Sequence, residues 1–333
     1  MLIPDPYTLK TAFGAETGTK MIREELKRKK IGVLMGGLSP ERDISFKTGQ
    51  AILTALSGKK YRAVGIEVDR SIAHTLFTEK IEVAFIALHG PWGEDGSIQG
   101  LLEMAGIPYT GSGVLASALA MDKVMAKKIF SYHHLPTPEF QVFSSRSQIS
   151  EISMKLPLIV KPACGGSTIG TTIVNSSHAL EKAIQDASEY DRKVLVEQYV
   201  EGVDITVGVI DGQALPIIEI VPKSGFYDYT SKYTPGKTEY IIPARLSRET
   251  SKRVQTMGIT AYQALECAGA ARVDFLMDKK GEVTILEVNT IPGLTETSLL
   301  PLAAAEVGIN FPALIERMLL SARLHIEMPF RES

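Results

Sequence analysis

The sequence predicts two fold classes in one chain, a parallel α/β unit followed by α+β units with antiparallel sheets. Three observations carry that expectation. Strand-like and helix-like runs alternate over roughly the first 110 residues, as in a parallel sheet with crossover helices. Two prolines in Leu135-PTPEF then break the pattern, and the runs that follow are short strands joined by turns. A length of 333 residues exceeds the usual size of one domain, which favours several compact units around a cleft.

In chain order, residues 1–29 form an extension whose stretch Lys20-MIREELKRKK is compatible with a helix. Ile31-GVLM reads as a buried strand. Gly36-Gly37 and Ser39-Pro40 turn it into a helix starting near Glu41. Tyr61-RAVGIEV and Val83-AFIAL continue the sheet, the latter ending at His89-Gly90. A helix over Ser97 to Met104 and the segment Ile107-PYT follow. Ligands of such sheets sit at the strand C-termini. A Lys-bearing helix spans Met121 to Phe130. After it, Leu158-IVKPA, Gly170-TTIV, Val194-LVEQYV, Asp204-ITVGVI, Gly212-QALPIIEI, Arg272-VDFLM and Glu282-VTILEVN read as strands, with helices near 177–189, 247–268 and 298–323. The expected units are 30–121, 122–206 and 207–325, the last with a long loop over 224–240.

Composition excludes several classes. With 44% hydrophobic and 22% charged residues the chain is globular rather than disordered, and 36 basic against 38 acidic residues leave no overall field to draw it to nucleic acid or anionic lipid. Cys164 and Cys267 lack metal-type or disulfide spacing, so a reducing, cytoplasmic setting is expected. Neither a secretory signal nor an apolar run long enough to span a bilayer is present in the sequence, so no membrane is expected as a partner.

Four segments could carry chemistry. If Asp278 to Gly281 is a hairpin turn, Arg272 stands opposite Glu287 and Asp274 opposite Ile285. Strand alternation then sets Arg272, Asp274, Glu287 and Asn289 on one face. Three oxygen donors beside a guanidinium suit a Mg²⁺ ion bridging phosphates; an ion-paired surface is the other reading of the same pattern. Lys161-PACGGSTIG puts a lysine at the end of an apolar strand and then a loop whose glycines let backbone N–H groups approach phosphate, with Ser167 and Thr168 adding hydroxyls. Ser224-GFYDYTSKYTPGKTEY is long and rich in Tyr and Lys, which fits a lid, with Lys232 and Tyr233 as its functional pair. Glu41, at a helix start, favours the helix dipole whatever else it does. Lys123 and Lys127 read as solvated helix charges, and His89 and Trp92 as a packed turn. Gly14-AETGTK and Gly111-SGVLA imitate nucleotide motifs but lack the strand context these need.

Read together, these segments resemble the ATP-grasp ligases, and within them the D-alanine–D-alanine ligase family. Seven motifs carry the resemblance in order: Gly36-GLSPERDIS, Ala87-LHGPWGEDGSIQG, Tyr109-TGSGVLASALAMDK, Lys161-PACGGSTIG, Phe226-YDYTSKY, Arg272-VDFLM and Leu286-EVNTIPGLTETSLLP. The family implies ATP held between two antiparallel sheets, two D-alanine molecules as substrates, two Mg²⁺ (or Mn²⁺) ions and a homodimer. By resemblance, Lys123 and Lys161 bind the α- and β-phosphates, and Gly165 to Thr168, including Gly166, close over them. Glu197 and the backbone of Gln198, Tyr199 and Val200 meet adenine, and Asp204 the ribose. Lys232 reaches the γ-phosphate, and Asp274, Glu287 and Asn289 hold the metal ions. Arg272 and the Gly293 amide stabilise a tetrahedral oxyanion, Glu41 holds the first D-alanine's ammonium near His89, and Tyr233 and Ser298 sit by the second D-alanine. Ser167 joins Glu41 and Tyr233 in a hydrogen-bonded set. The chain departs from the family at Cys164-Gly165-Gly166, where charged residues are usual, at Asp204, where Glu is usual, at Thr297, where some members have His, and in its first thirty residues, which match nothing there.

Overall fold

A computed structural model of the chain describes residues 12–143, 152–223, 234 and 236–326. Lys232 and Tyr233, and most of the expected lid, lie outside the described residues.

The first unit is built on three parallel strands in the order β2-β1-β3: β1 (Lys30–Gly36), β2 (Arg62–Val68) and β3 (Val83–Ile86). Residues 31–36 of β1 are all buried, as expected for a parallel strand covered on both faces. Tyr109 extends the sheet only through single bridges, parallel to Ala84 and antiparallel to Arg323. Helices α2 (Arg42–Gly58), α3 (Ile72–Thr78) and α4 (Ser97–Ala105) pack against the sheet, and α5 (Val114–Met121) lies beside α4. Ahead of them, α1 (Ala12–Arg28) extends further towards the N-terminus than the stretch read from sequence. Its Arg23 meets Glu316 at 3.2 Å, and Glu316 also takes Lys59 at 3.0 Å and the Tyr61 hydroxyl at 2.9 Å.

After α6 (Lys123–Tyr132) come two antiparallel sheets. One has four strands, β4 (Phe140–Phe143), β5 (Leu158–Pro162), β6 (Thr172–Val174) and β7 (Val194–Gln198), in the order β4-β7-β5-β6 and backed by α7 (Ser177–Ser188). The other has six, β8 (Gly202–Ile210), β9 (Gln213–Ala214), β10 (Ile218–Pro222), β11 (Thr238–Ile241), β12 (Ala270–Asp278) and β13 (Val283–Asn289), in the order β11-β10-β8-β12-β13 with β9 paired to β8. Val254 and Ala261 of α8 (Arg248–Ala264) pack against Val207, Val273 and Phe275 behind it.

Two expected elements are divided. The strand read over 212–220 breaks at Pro216, which has no N–H for a ladder. The helix read over 298–323 is α9 (Leu299–Glu306) and α10 (Phe311–Leu320), separated by Gly308 at φ +81° and restarted by Asn310, whose side chain accepts from the Ala313 N–H at 3.0 Å. Among the described residues no single helix is long and apolar enough to cross a membrane; α9 and α10 pass such a test only as a pair bent by 103°.

Candidate active site

A cleft runs between the two antiparallel sheets. Ile159, Lys161 and Glu197 line it from the four-stranded side, and Asp204, Asp274 and Glu287 from the six-stranded side. Ile220, Leu276 and Leu286 add an apolar wall.

On the six-stranded side, the hairpin register differs from the one read in the sequence. Arg272 faces Asn289 and Asp274 faces Glu287, whereas Phe275 faces Ile285, so the pairing shifts between Asp274 and Phe275. Leu286 is the extra residue of a β-bulge. Had the Phe275–Ile285 register continued, Leu286 and Val288 would stand beside Asp274 and Arg272, and Glu287 and Asn289 would turn to the opposite face. The bulge therefore brings the acids to one side. Expectation and structure agree on the shared face because two shifts, one at the turn and one at the bulge, preserve parity.

The four polar groups are tightly connected. Arg272 donates from Nε and Nη2 to the two Asp274 oxygens, both at 2.8 Å. Asn289 Nδ2 donates to Asp274 Oδ2 at 3.0 Å, and the Thr206 hydroxyl of β8 donates to Oδ1 at 2.6 Å. Glu287 pairs with Lys123 at 3.1 Å. Lys123 also donates to the Gly165 carbonyl at 2.6 Å. Its ammonium is held above the usual lysine range: burial works against the charge, and Glu287 outweighs it. Among the described residues no cluster of three His, Cys, Asp or Glu side chains is arranged to hold a metal by itself. Asp274, Glu287 and Asn289 instead form an open, hard-oxygen edge, which fits a Mg²⁺ ion whose remaining ligands are phosphate oxygens and water.

The phosphate loop candidate bends over the opposite lip of the cleft. Its Gly165 (φ +148°), Ser167 (φ +54°) and Thr168 (φ +63°) all have positive φ, costly for the last two. Its glycine-rich, uncharged sequence suggests looseness, yet it is tied at three points: the Cys164 N–H to Asp191 at 2.8 Å, the Gly165 carbonyl to Lys123, and the Ser167 hydroxyl to Glu41 Oε1 at 2.5 Å. A Cβ on Gly166 would lie 2.7 Å from Glu41 Oε2, and so would one on Gly90, so a side chain at either would press on that carboxylate; Gly90 is further favoured by its φ of +71°. Burial, with Asp191 next, pushes the Cys164 thiol up to about 12, which removes any nucleophile role at neutral pH.

Glu41, 7% exposed, caps the N-terminus of α2 as position, not through a side-chain hydrogen bond. Beside it lies Glu94, which accepts from the Gly90 N–H at 2.7 Å and whose carboxyl is pushed up to about 8, first by burial and then by Glu41. Glu94 lines a small cavity with Lys123, Gly166, Glu287 and Asn289, joining the first unit to the cleft. His89 is buried, bonds Thr48 Oγ1 through Nε2 at 3.0 Å and reaches the Ile291 main chain; burial pushes its pKa down to about 4, so it is neutral at pH 7. Trp92 is 53% exposed, which corrects the packed-turn reading for that residue. Further along, Ser298 Oγ accepts from the Thr295 N–H at 3.1 Å, close to where a Gly293 Cβ would stand.

Around the adenine candidates, Glu197 is 2% exposed and pairs with both Lys161 and Lys127. The N–H groups of Gln198 and Tyr199 are already donated to the carbonyls of Glu139 and Pro157, at 2.8 and 3.2 Å, so neither is available to a ligand in this arrangement. Tyr199 and Val200 line the cleft. Glu94 and Lys127 are the site residues that sequence reasoning missed. Lys127 falls on the apolar stripe of α6 with Val124, Ala126 and Phe130, and is 0% exposed rather than solvated; a lysine on that stripe was the available signal. Glu94 had only its place in a glycine-rich turn.

Two antiparallel sheets facing across a cleft, with lysines on one lip and carboxylates on the other, define an ATP-grasp enzyme. Family models described as D-ala D-ala ligase N-terminus and C-terminus match residues 72–112 and 129–320. The chain is 54% identical to a D-alanine–D-alanine ligase of Syntrophotalea carbinolica, over 91% of this chain and 99% of that protein, and 51% identical to one of Geotalea uraniireducens, over 92% and 99%. Among solved structures, the D-alanine–D-alanine ligase of Bacillus anthracis complexed with ATP superposes with a TM-score of 0.77 at 34% identity, covering 88% of this chain and 97% of that one. VanG D-Ala:D-Ser ligase from Enterococcus faecalis gives 0.75 at 31%, covering 87% and 98%. The chain belongs to the D-alanine–D-alanine ligase family.

Proposed function

We propose that the protein joins two D-alanines into D-alanyl-D-alanine at the expense of ATP, supplying the dipeptide for peptidoglycan. The observation that carries the reading is the convergence of Glu41, Ser167, the Gly166 backbone and Lys123 with Arg272, Asp274, Glu287 and Asn289 of the six-stranded lip. A buried carboxylate beside a lysine- and carboxylate-lined cleft supports this reading, because an amino-acid-activating enzyme needs an ammonium acceptor next to a phosphate-binding edge.

In this mechanism Glu41 anchors the first D-alanine's ammonium, and that substrate's carboxylate oxygen attacks the γ-phosphorus, releasing ADP and forming an acyl phosphate. Lys123 and Lys161 hold the phosphate chain. Asp274, Glu287 and Asn289 would hold Mg²⁺, which would supply charge neutralisation for the phosphates. The second D-alanine's neutral amine then attacks the acyl carbon. Arg272 and the Gly293 amide offset charge on the tetrahedral oxygen, and phosphate leaves. Ser298 receives the second substrate's carboxylate. Lys232 and Tyr233 belong to the lid that excludes water from the acyl phosphate. His89, neutral and anchored, shapes the first subsite without exchanging a proton. Asp204, one carbon short of the usual acid, contacts the ribose through water.

The units proposed are 30–121, 122–206 and 207–325, with β8 (Gly202–Ile210) of the six-stranded sheet crossing the second boundary. The enzyme acts in the cytoplasm as a homodimer. The test is ADP release by the purified protein with ATP and Mg²⁺, comparing D-alanine, L-alanine, D-serine and D-lactate, with product mass determined. D-alanine alone should stimulate release and yield the dipeptide; stimulation by another acceptor only would overturn the assignment.

A further inference from the structure

Lys127 is 0% exposed and cannot reach a ligand, yet its ammonium faces three oxygens: Thr137 Oγ1 at 2.6 Å, Glu197 Oε2 at 3.0 Å and the Pro138 carbonyl at 3.3 Å. The Phe140 ring lies beneath it, 5.3 Å from its centroid. Burial pulls the Lys127 ammonium below the usual lysine range, Glu197 works against that, and the three oxygens around it fix it in place as the counter-charge of that carboxylate. Thr137 is itself fastened, donating to the Ile285 carbonyl at 2.9 Å, so the lysine is held between α6, the segment before β4, and the six-stranded sheet.

Glu197 has a second cation, Lys161, but the two lysines differ. Lys161 lines the cleft, where incoming phosphate competes for it. Lys127 has no such competitor. Glu197 Oε2 is buried and faces the Lys127 ammonium at 3.0 Å, so the charge on that oxygen is compensated by Lys127, while Glu197 as a residue lines the cleft.

We propose that Lys127 sets the cleft's preference for adenine over guanine, without touching the nucleotide, by holding Glu197 as an acceptor-only carboxylate. The inference rests on the ligase reading in taking Glu197 to meet the base. A carboxylate accepts and never donates, so it pairs with the exocyclic amino group of adenine and repels the oxygen that guanine carries at the same position. Burial raises the carboxyl's affinity for its proton, and Lys161 with Lys127 more than reverses that, holding Glu197 below the usual carboxylate range. Once phosphate engages Lys161, Lys127 is the remaining counter-charge. Lys127 is thus a positioning residue for nucleotide specificity.

Equilibrium binding of ADP and of GDP to the full chain by calorimetry tests this, beside KM and kcat for ATP and GTP with D-alanine. In Lys127→Met, ADP binding should weaken ~10- to 100-fold while GDP changes little, collapsing the ratio, with kcat nearly kept. Glu197→Gln should collapse it similarly, because a carboxamide can donate to guanine, and the double variant should be no worse than Glu197→Gln alone. Equal weakening of both nucleotides, or additive effects in the double variant, would show that Lys127 only braces the fold and would overturn the proposal. If Lys127→Met shows no cooperative melting, Thr137→Val, which removes one of the three oxygens and leaves the ammonium, should shift the ratio in the same direction by ~2- to 10-fold; a wild-type ratio would refute the idea. Lack of D-alanine-dependent turnover in the wild type would defeat the ligase reading instead, and the ADP-to-GDP comparison would still decide the role of Lys127.

Discussion

The two lips of the cleft are built on opposite principles. The six-stranded lip carries its polar groups on paired strands: Asp274 is held by Arg272, Asn289 and Thr206, each from a position fixed by the ladder, over a core of Val273, Phe275, Ile285 and Val288. The four-stranded lip ends in a loop whose Ser167 and Thr168 keep a backbone that side chains disfavour, tied to Glu41 and Lys123 by hydrogen bonds rather than by a strand ladder. Groups that must match developing charge need placement to within about half an ångström, and a ladder supplies it. A segment that must admit and release a nucleotide needs contacts few enough to break. Substitutions on the first lip should therefore change chemistry, and those on the second should change capture.

The largest effect is expected at the centre of the rigid lip. Asp274→Asn keeps the volume but removes the charge that three donors converge on. It should lower kcat by ~100- to 1,000-fold with a smaller change in KM for ATP, measured by steady-state kinetics. A rise in KM with unchanged kcat would mean that this lip also serves capture, and the contrast would fail.

The brace behind that lip comes next. Burial holds His89 neutral, lowering its pKa from 6.5 to about 4 against the opposing main-chain hydrogen bond at Ile291, while Thr48 fixes the ring at 3.0 Å. The unfolded chain binds a proton between those values and the folded chain does not, so the stability associated with a neutral His89 is present above about pH 6.5 and is lost as pH falls towards 4. The amount is about 3 kcal/mol. His89→Gln should flatten the difference in denaturation free energy between pH 7 and pH 4 by about that much, and equal slopes in both proteins would refute the assignment.

How far this division could be read in advance depended on which physical pattern encoded it. Strand alternation and turn residues located the acids, the lysine-to-glycine loop and the Glu41 helix start without coordinates, because period and turn chemistry are local. The true pairing of Arg272 with Asn289 was out of reach. A bulge at Leu286 leaves no composition signal, and only parity rescued the shared face. Pro216 and Gly308 did carry signals for the breaks at β9–β10 and α9–α10, overridden by reading continuous apolar runs as single elements. Lys127 had only its place on the apolar stripe of α6, and Glu94 only its glycine-rich turn, because burial of a charge is decided by partners distant in sequence, here Glu197 and Glu41.

On the adaptable lip, Gly166→Ala should act through space alone. Its Cβ would meet Glu41 Oε2 at 2.7 Å, so either the loop or the carboxylate must move. KM for D-alanine or ATP should rise ~10- to 100-fold, with the melting midpoint nearly unchanged, since the loop contributes little to the core. A large loss of melting temperature would place the loop among the rigid parts.

The smallest effect should come from relaxing the loop rather than obstructing it. Thr168, β-branched, sits at φ +63°, where a side chain costs roughly 1–2 kcal/mol that glycine does not incur. Thr168→Gly removes that strain but frees the unfolded chain, which offsets about 0.5–1 kcal/mol. The net change in folding stability should be at most about 1 kcal/mol in the stabilising direction, read by chemical denaturation. Nucleotide affinity should nonetheless fall, because a glycine there no longer restricts the loop to the conformation that presents the Ser167 hydroxyl to Glu41. Stability and affinity moving apart is what a strained capture loop requires. If both fell together, the positive φ of Thr168 would be a packing necessity of the four-stranded sheet, and the two lips would share one design after all.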